Sequence, residues 1–130
     1  MISARGSQPR EAPVEAASCE FRKCGIVATG LNDLMKAAGL THGGFYKHFA
    51  SKEQVVEESL ALAIGSMLER IKGTLAASPD GLDAAIDDYL STEYRDNVAG
   101  GCPFVALGSE MARGGDAVRN VATTGFLEMT

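Results

Sequence analysis

An all-helical fold is predicted for this 130-residue chain. Apolar residues recur at three- and four-residue spacing along most of it, and glycine and proline interrupt it at short intervals. No stretch alternates apolar and polar residues as a half-buried strand would. With 45% hydrophobic residues and a mean hydropathy of +0.00, the composition supplies a core without approaching that of a membrane protein. The longest apolar runs, residues 60–64 and 102–107, fall far short of the roughly 20 residues needed to cross a bilayer. No apolar region follows Arg5 and Arg10, so no secretion signal is read and a cytoplasmic location is expected.

The first ten residues, MISARGSQPR, are polar and carry glycine, proline and serine, so they are expected to form a mobile arm. From about Pro13, the residues Val14, Ala17, Phe21 and Ile26 recur at near-helical spacing, with Gly25 after Lys23 as a stop; a first helix is predicted there. Thr29 is the expected cap of a second helix, whose apolar face is Leu31, Leu34, Met35 and Ala38 and which ends at Gly39. Gly39 and Leu40 make a tight turn, and Thr41 caps a short third helix that carries Phe45 and Phe49 on one side. Ser51 then opens a much longer helix with Glu53 and Gln54 in its first turn. Val55, Val56, Leu60, Leu62, Ile64, Met67, Leu68 and Ile71 extend it to about Leu75. After a turn over 76–81 that contains Pro79, Leu82, Ile86, Tyr89 and Leu90 predict one helix as far as about Tyr94. Gly100 and Gly101 break the chain, and Pro103 suits the first turn of a helix reaching about Ala112. Beyond Gly114 and Gly115 a last helix carries Val118, Val121, Phe126 and Leu127.

A net charge of −5 argues against a nucleic-acid partner only until its distribution is considered. Residues 1–55 hold seven Lys or Arg against five Asp or Glu, and both histidines, which leaves the remainder at −7. A locally basic segment on an acidic protein is what contact with phosphates needs. The three cysteines, Cys19, Cys24 and Cys102, form no CxxC pair and their odd number gives no disulfide framework, so reduced thiols are expected. Cys102, just before Pro103 at a helix start, also suits a redox-responsive thiol. His42 and His48 are six apart with no cysteine nearby, so no metal site is expected. Neither a GxGxxG nor a GxxxxGK[ST] loop is present, and no partnered nucleophile is found. The adjacent Asp87 and Asp88 would point to different parts of a helix surface. No cofactor and no enzymatic activity are expected.

Two short helices joined by a tight glycine turn have the form of a helix-turn-helix, in which the second helix enters the major groove of DNA. With Phe45 and Phe49 turned inward, the opposite face of the third helix displays His42, Gly43, Tyr46 and Lys47, flanked by Gly44. Two glycines in so short a helix cost about 1 kcal/mol each relative to alanine, which makes sense where the backbone must come close to a groove. The Tyr46 hydroxyl, the Lys47 and Lys52 ammonium groups and the amides after Ser51 suit phosphates, and His42 can reach a base edge.

The run GLNDLMKAAGLTHGGFYKHFASKEQVV, residues 30–56, resembles the DNA-binding signature of the TetR family of regulators. It keeps the AAG turn, the FYKHF aromatic pattern and the SKE cap. The upstream EAASCEFRKCGIVATG is similar to the family's first helix, and GCPFVALGSEMAR, residues 101–113, to a helix in the regulatory domain of one subgroup. The resemblance implies that Thr29, Thr41, Tyr46, His48 and Lys52 touch phosphate or support such contacts, and that His42, Gly43 and Gly44 face the bases.

The resemblance also implies two domains: residues 1–55 as the DNA-binding head and 56–130 as an incomplete helical ligand-binding and dimerisation domain. Its expected partners are double-stranded operator DNA and a small-molecule effector, bound in a cavity for which Tyr89, Leu90, Tyr94, Phe104, Leu107, Met111 and Phe126 are the candidates. Members of the family are longer, and the helices that build their homodimer interface are expected to be missing here. Pro13 and Glu20 depart from the family's aliphatic pattern and are expected to make the first helix start late and pack less tightly. The implied function is a ligand-responsive repressor; the competing expectation is a helical fragment that does not bind DNA alone.

Overall fold

The computed structural model describes the backbone of residues 2–129 and the side chains of residues 11–129. Helix α1 spans Ile2–Cys24, α2 Leu31–Ala38, α3 His42–His48 and α4 Lys52–Ala77. They are followed by α5 (Gly81–Tyr89), α6 (Thr92–Asp96), a 3-10 turn over Val98–Gly100, α7 (Pro103–Ala112) and α8 (Asp116–Met129). No strand occurs among the described residues.

Local sequence sets most of these boundaries. Gly25 and Gly39, with φ of 95° and 70°, end α1 and α2 in a backbone conformation that a side chain would strain. The Ser51 hydroxyl accepts the Gln54 amide at 3.2 Å, while the Gln54 side chain accepts the Ala50 amide at 2.6 Å, so two amides that α4 could not satisfy internally are paired. Ser91 divides what the sequence presents as one helix over 82–94 into α5 and α6. Its hydroxyl donates to the Asp88 carbonyl at 2.7 Å and accepts the Tyr94 amide at 3.2 Å, closing one helix and opening the next.

The start of α1 also differs from expectation. The arm predicted over residues 1–10 is helical backbone from Ile2 onward. Once the turns after Pro13 are held by packing, residues added upstream need only helix propagation, with no new nucleus. Pro13 does not loosen that packing, because it is itself buried and Val14, Ala17 and Phe21 are buried behind it. Glu20 sits at the edge of the contact and pairs with Lys23 at 3.6 Å.

Phe21, Leu34, Met35, Phe45, Phe49, Val55, Val56 and Leu60 form one buried cluster with Leu107, Met111 and Val118. The core thus runs across residue 55, where the sequence suggests a division into domains. Helix α4 is its spine, packing against α1, α5 and α8. Where α8 crosses α4, a Cβ on Gly125 would lie 2.5 Å from Ile64 Cγ2. Isoleucine is stiff at χ1 and cannot swing aside. Gly125→Ala is therefore expected to lower the unfolding free energy by about 1–3 kcal/mol. Urea denaturation reads this directly, and an unchanged midpoint would show that α8 can slide along α4 without loss.

Candidate nucleic-acid interface

The turn between α2 and α3 sets the geometry of the site. The Leu40 amide donates to the Met35 carbonyl at 2.8 Å, and the Thr41 hydroxyl caps α3 by accepting the Gly44 amide at 3.1 Å. Phe45 and Phe49, each 2% exposed, lie with ring centroids 5.4 Å apart and anchor α3 on the core. His42, Gly43, Tyr46 and Lys47 are left exposed on the face that the sequence predicts. The Tyr46 ring stands edge-on to Phe45 at 5.2 Å, so its direction is fixed although it is 57% exposed. Gly44 and His48 are half-buried, and the His48 ring meets Phe49 edge-on at 6.3 Å, on the packed flank of the helix.

Two of the predicted phosphate-contacting residues are engaged inside the protein. Thr29 is 1% exposed and its hydroxyl donates to the Gly25 carbonyl at 2.6 Å. It does not cap α2. Gly30 holds that position, its amide donating to the Asp33 carboxylate at 3.2 Å. The glycine stop of α1 forces a tight turn over 25–29, and this turn draws the threonine inward. Lys52 is half-buried, and its Nζ donates to the Ile26 carbonyl at 2.8 Å, one of three N–H donors being committed to the α1–α2 turn. Thr41 stays exposed beside that face of α3.

Sequence reasoning did not single out Glu110 or Arg22. The Glu110 carboxylate accepts the amides of Ile26 and Val27, both at 2.9 Å. Arg22 donates to the Gly101 carbonyl at 2.9 Å and to the Ser18 hydroxyl at 3.1 Å. No local pattern announces the Glu110 contacts or that of Arg22 with Gly101, since those partners lie about eighty residues apart.

In the second half, Tyr89, Leu90, Ser91, Tyr94, Arg95, Asn97, Val98, Gly101, Cys102, Val105 and Ala106 line a largely apolar, open cavity of about 400 Å³. Tyr89 and Tyr94 are brought together there, with ring centroids 5.4 Å apart. Phe104 and Met111, expected in the same cavity, lie elsewhere. Met111 and Leu107 are buried in the core, and Phe104 packs edge-on against Phe126 at 6.0 Å. Phe104, Leu107 and Met111 are on α7 but are not among the residues that line the cavity, as Val105 and Ala106 are, a matter of helix roll that the spacing left open. Phe126 is on α8, which contributes no residue to that cavity. Arg70 lies 5.0 Å from the Tyr94 ring centre and pairs with Asp88 at 2.7 Å. Among the described residues no helix is long and apolar enough to cross a membrane, and no three His, Cys, Asp or Glu side chains gather as metal ligands.

Residues 14–59 match the sequence profile described as bacterial regulatory proteins, tetR family. The chain is 30% identical over 81 residues to the HTH-type transcriptional repressor KstR2 of Rhodococcus jostii, an alignment covering 62% of this chain and 39% of that protein. It is 35% identical over 74 residues to the probable acrEF/envCD operon repressor of Escherichia coli K12, covering 57% and 33%. A crystal structure of a TetR-family transcriptional regulator from Cytophaga hutchinsonii superposes with a TM-score of 0.82 at 25% identity, over 98% of this chain and 64% of that one. Residues 14–59 thus match the tetR family of bacterial regulatory proteins, and the chain as a whole shares the fold of a TetR-family regulator. It spans about two fifths or less of the length of these curated relatives.

The cavity makes one property of the site measurable. Hydrogen bonding to the Cys102 thiol, reinforced by burial, pushes the Tyr89 phenol up from 10.0 to about 12, and burial raises Tyr94. A raised folded pKa contributes stability that is complete below pH 10 and is lost as the pH climbs towards about 12. An ultraviolet titration of tyrosinate is expected to show a late step that Tyr89→Phe removes and Cys102→Ala moves to lower pH; a Tyr89 step that stays put in Cys102→Ala would contradict the assignment.

Proposed function

We propose that the chain is a ligand-responsive transcriptional repressor that binds operator DNA through α3 and takes a small apolar effector in the cavity beside Tyr89 and Tyr94. The reading rests on one observation above the others: Phe45 and Phe49 fix the roll of α3 so that His42, Gly43, Tyr46 and Lys47 share an exposed face. The match of residues 14–59 to the tetR family and the repressor names of the relatives support it. In this arrangement Tyr46, Lys47 and Thr41 approach the phosphates, and Lys52 supplies its remaining donors from the start of α4. His42, at the first turn of α3, reads a base edge. Two copies would place two α3 helices about 34–36 Å apart on half-sites one DNA turn apart, doubling the contact. The repressor works in the cytoplasm, and its task requires no catalytic group.

Gly43 discriminates this reading from plain helix packing. Among the described residues, no atom beyond its own helix backbone and chain neighbours lies within 4 Å of where its Cβ would be, so packing gives no reason for a glycine there. A reason exists if the helix backbone approaches DNA closely. Gly43→Ala is therefore expected to stabilise the protein by about 0.5–1 kcal/mol while weakening its binding to duplex DNA selected from a random pool. Tyr46→Ala with Lys47→Ala is expected to weaken binding and to reduce the salt slope by about one for the lost lysine contact. A folded chain that enriches no duplex, or a Gly43→Ala protein that is both more stable and fully competent, would favour a helical fragment that does not bind DNA alone.

A further inference from the structure

The α1–α2 turn leads directly into the helix-turn-helix, yet much of what holds it comes from the other half of the chain. The backbone of Ile26 is held on both sides of its Cα: its amide donates to Glu110 at 2.9 Å, and its carbonyl accepts from Lys52 Nζ at 2.8 Å. The Val27 amide donates to the second Glu110 oxygen, also at 2.9 Å, although the Val27 side chain is 84% exposed and anchors nothing. Both carboxylate oxygens are thus spent on two consecutive backbone amides, a charge-assisted pairing stronger than neutral hydrogen bonds. The carboxylate is itself held in place. Leu107 and Met111 bury the inner face of α7, and at the other end of that helix Arg22 of α1 donates to Gly101.

We propose that Glu110 is a positioning residue for DNA binding: by clamping the Ile26 and Val27 amides from α7, it fixes the turn that orients α2 and α3 on the head. The inference rests on the operator-binding reading above and adds to it that the head is not geometrically self-sufficient. Thr29 continues the chain of constraint, since its buried hydroxyl ties the far end of the turn to Gly25 one residue before α2 is capped. Removing the carboxylate leaves the hydrophobic anchors of α3 in place, so the head stays folded while its entry turn gains freedom.

The test compares the full chain with Glu110→Ala and Glu110→Gln by amide hydrogen exchange and by affinity for the selected duplex. Glu110→Ala is expected to speed exchange at Ile26 and Val27 while the α1 amides around Phe21 keep their protection, and to weaken DNA binding by about tenfold. Glu110→Gln, which keeps one acceptor oxygen, is expected to recover part of both. Gly125→Ala serves as the control: it is destabilised at the distant α4–α8 crossing and is expected to bind DNA as the parent does. Unchanged exchange at Ile26 and Val27 in Glu110→Ala overturns the clamp. Faster exchange with unchanged affinity overturns the positioning role. A parent chain that binds no duplex overturns the operator-binding reading instead, and the exchange result still decides the clamp. If Glu110→Ala does not fold, Glu110→Gln carries the same two comparisons.

Discussion

Phe45 and Phe49 lie one helical turn apart on a helix of seven residues and its cap, and burying both leaves α3 one way to roll about its axis. Such a helix is too short to be stable by itself, so its existence and its orientation both derive from that burial. The exposed face then follows by geometry. The two rings leave His42, Gly43, Tyr46 and Lys47 exposed, with Gly43 and Lys47, two positions either side of Phe45, pointing most nearly away from it. The α2–α3 turn and the Thr41 cap set where the helix begins, and the two rings set which way it faces.

The core beneath those rings is not confined to the head. Leu107, Met111 and Val118 belong to the same buried cluster as Phe21 and Phe45. Polar contacts reinforce the connection at both ends of α7, through Arg22 on Gly101 and Glu110 on the α1–α2 turn. One helix therefore forms part of the cavity wall with Cys102, Val105 and Ala106, and also supports the turn between α1 and α2. In a close-packed interior a displaced helix moves its contacts as a body, so cavity and head are mechanically close whatever occupies the cavity.

The departures of α1 from an aliphatic pattern are absorbed locally. Pro13 is buried as an apolar ring, and Glu20 sits at the rim with Lys23, so Val14, Ala17 and Phe21 keep their places against α4. Lys52 illustrates the opposite outcome. A side chain that reads as a phosphate ligand spends a donor on a backbone carbonyl twenty-six residues away, because the stop at Gly25 turns that carbonyl towards the start of α4.

The amino-acid sequence by itself determined what depends on short-range order: the helices and their glycine stops, the Thr41 and Ser51 caps, the inward pair Phe45 and Phe49, and with them the exposed face of α3. These follow from periodicity and backbone preference, which act within about one or two turns. The split of α5 from α6 at Ser91 was within the same reach, but the helical spacing of the apolar residues masked the capping signal. Tertiary structure alone decided the engagement of Lys52, the grip of Glu110 on Ile26 and Val27, and the separation of Phe104 and Met111 from the cavity that Tyr89 and Tyr94 share. Each of these depends on how helices distant in sequence roll and cross, and a hydrogen bond across eighty residues leaves no periodic trace in the chain that forms it.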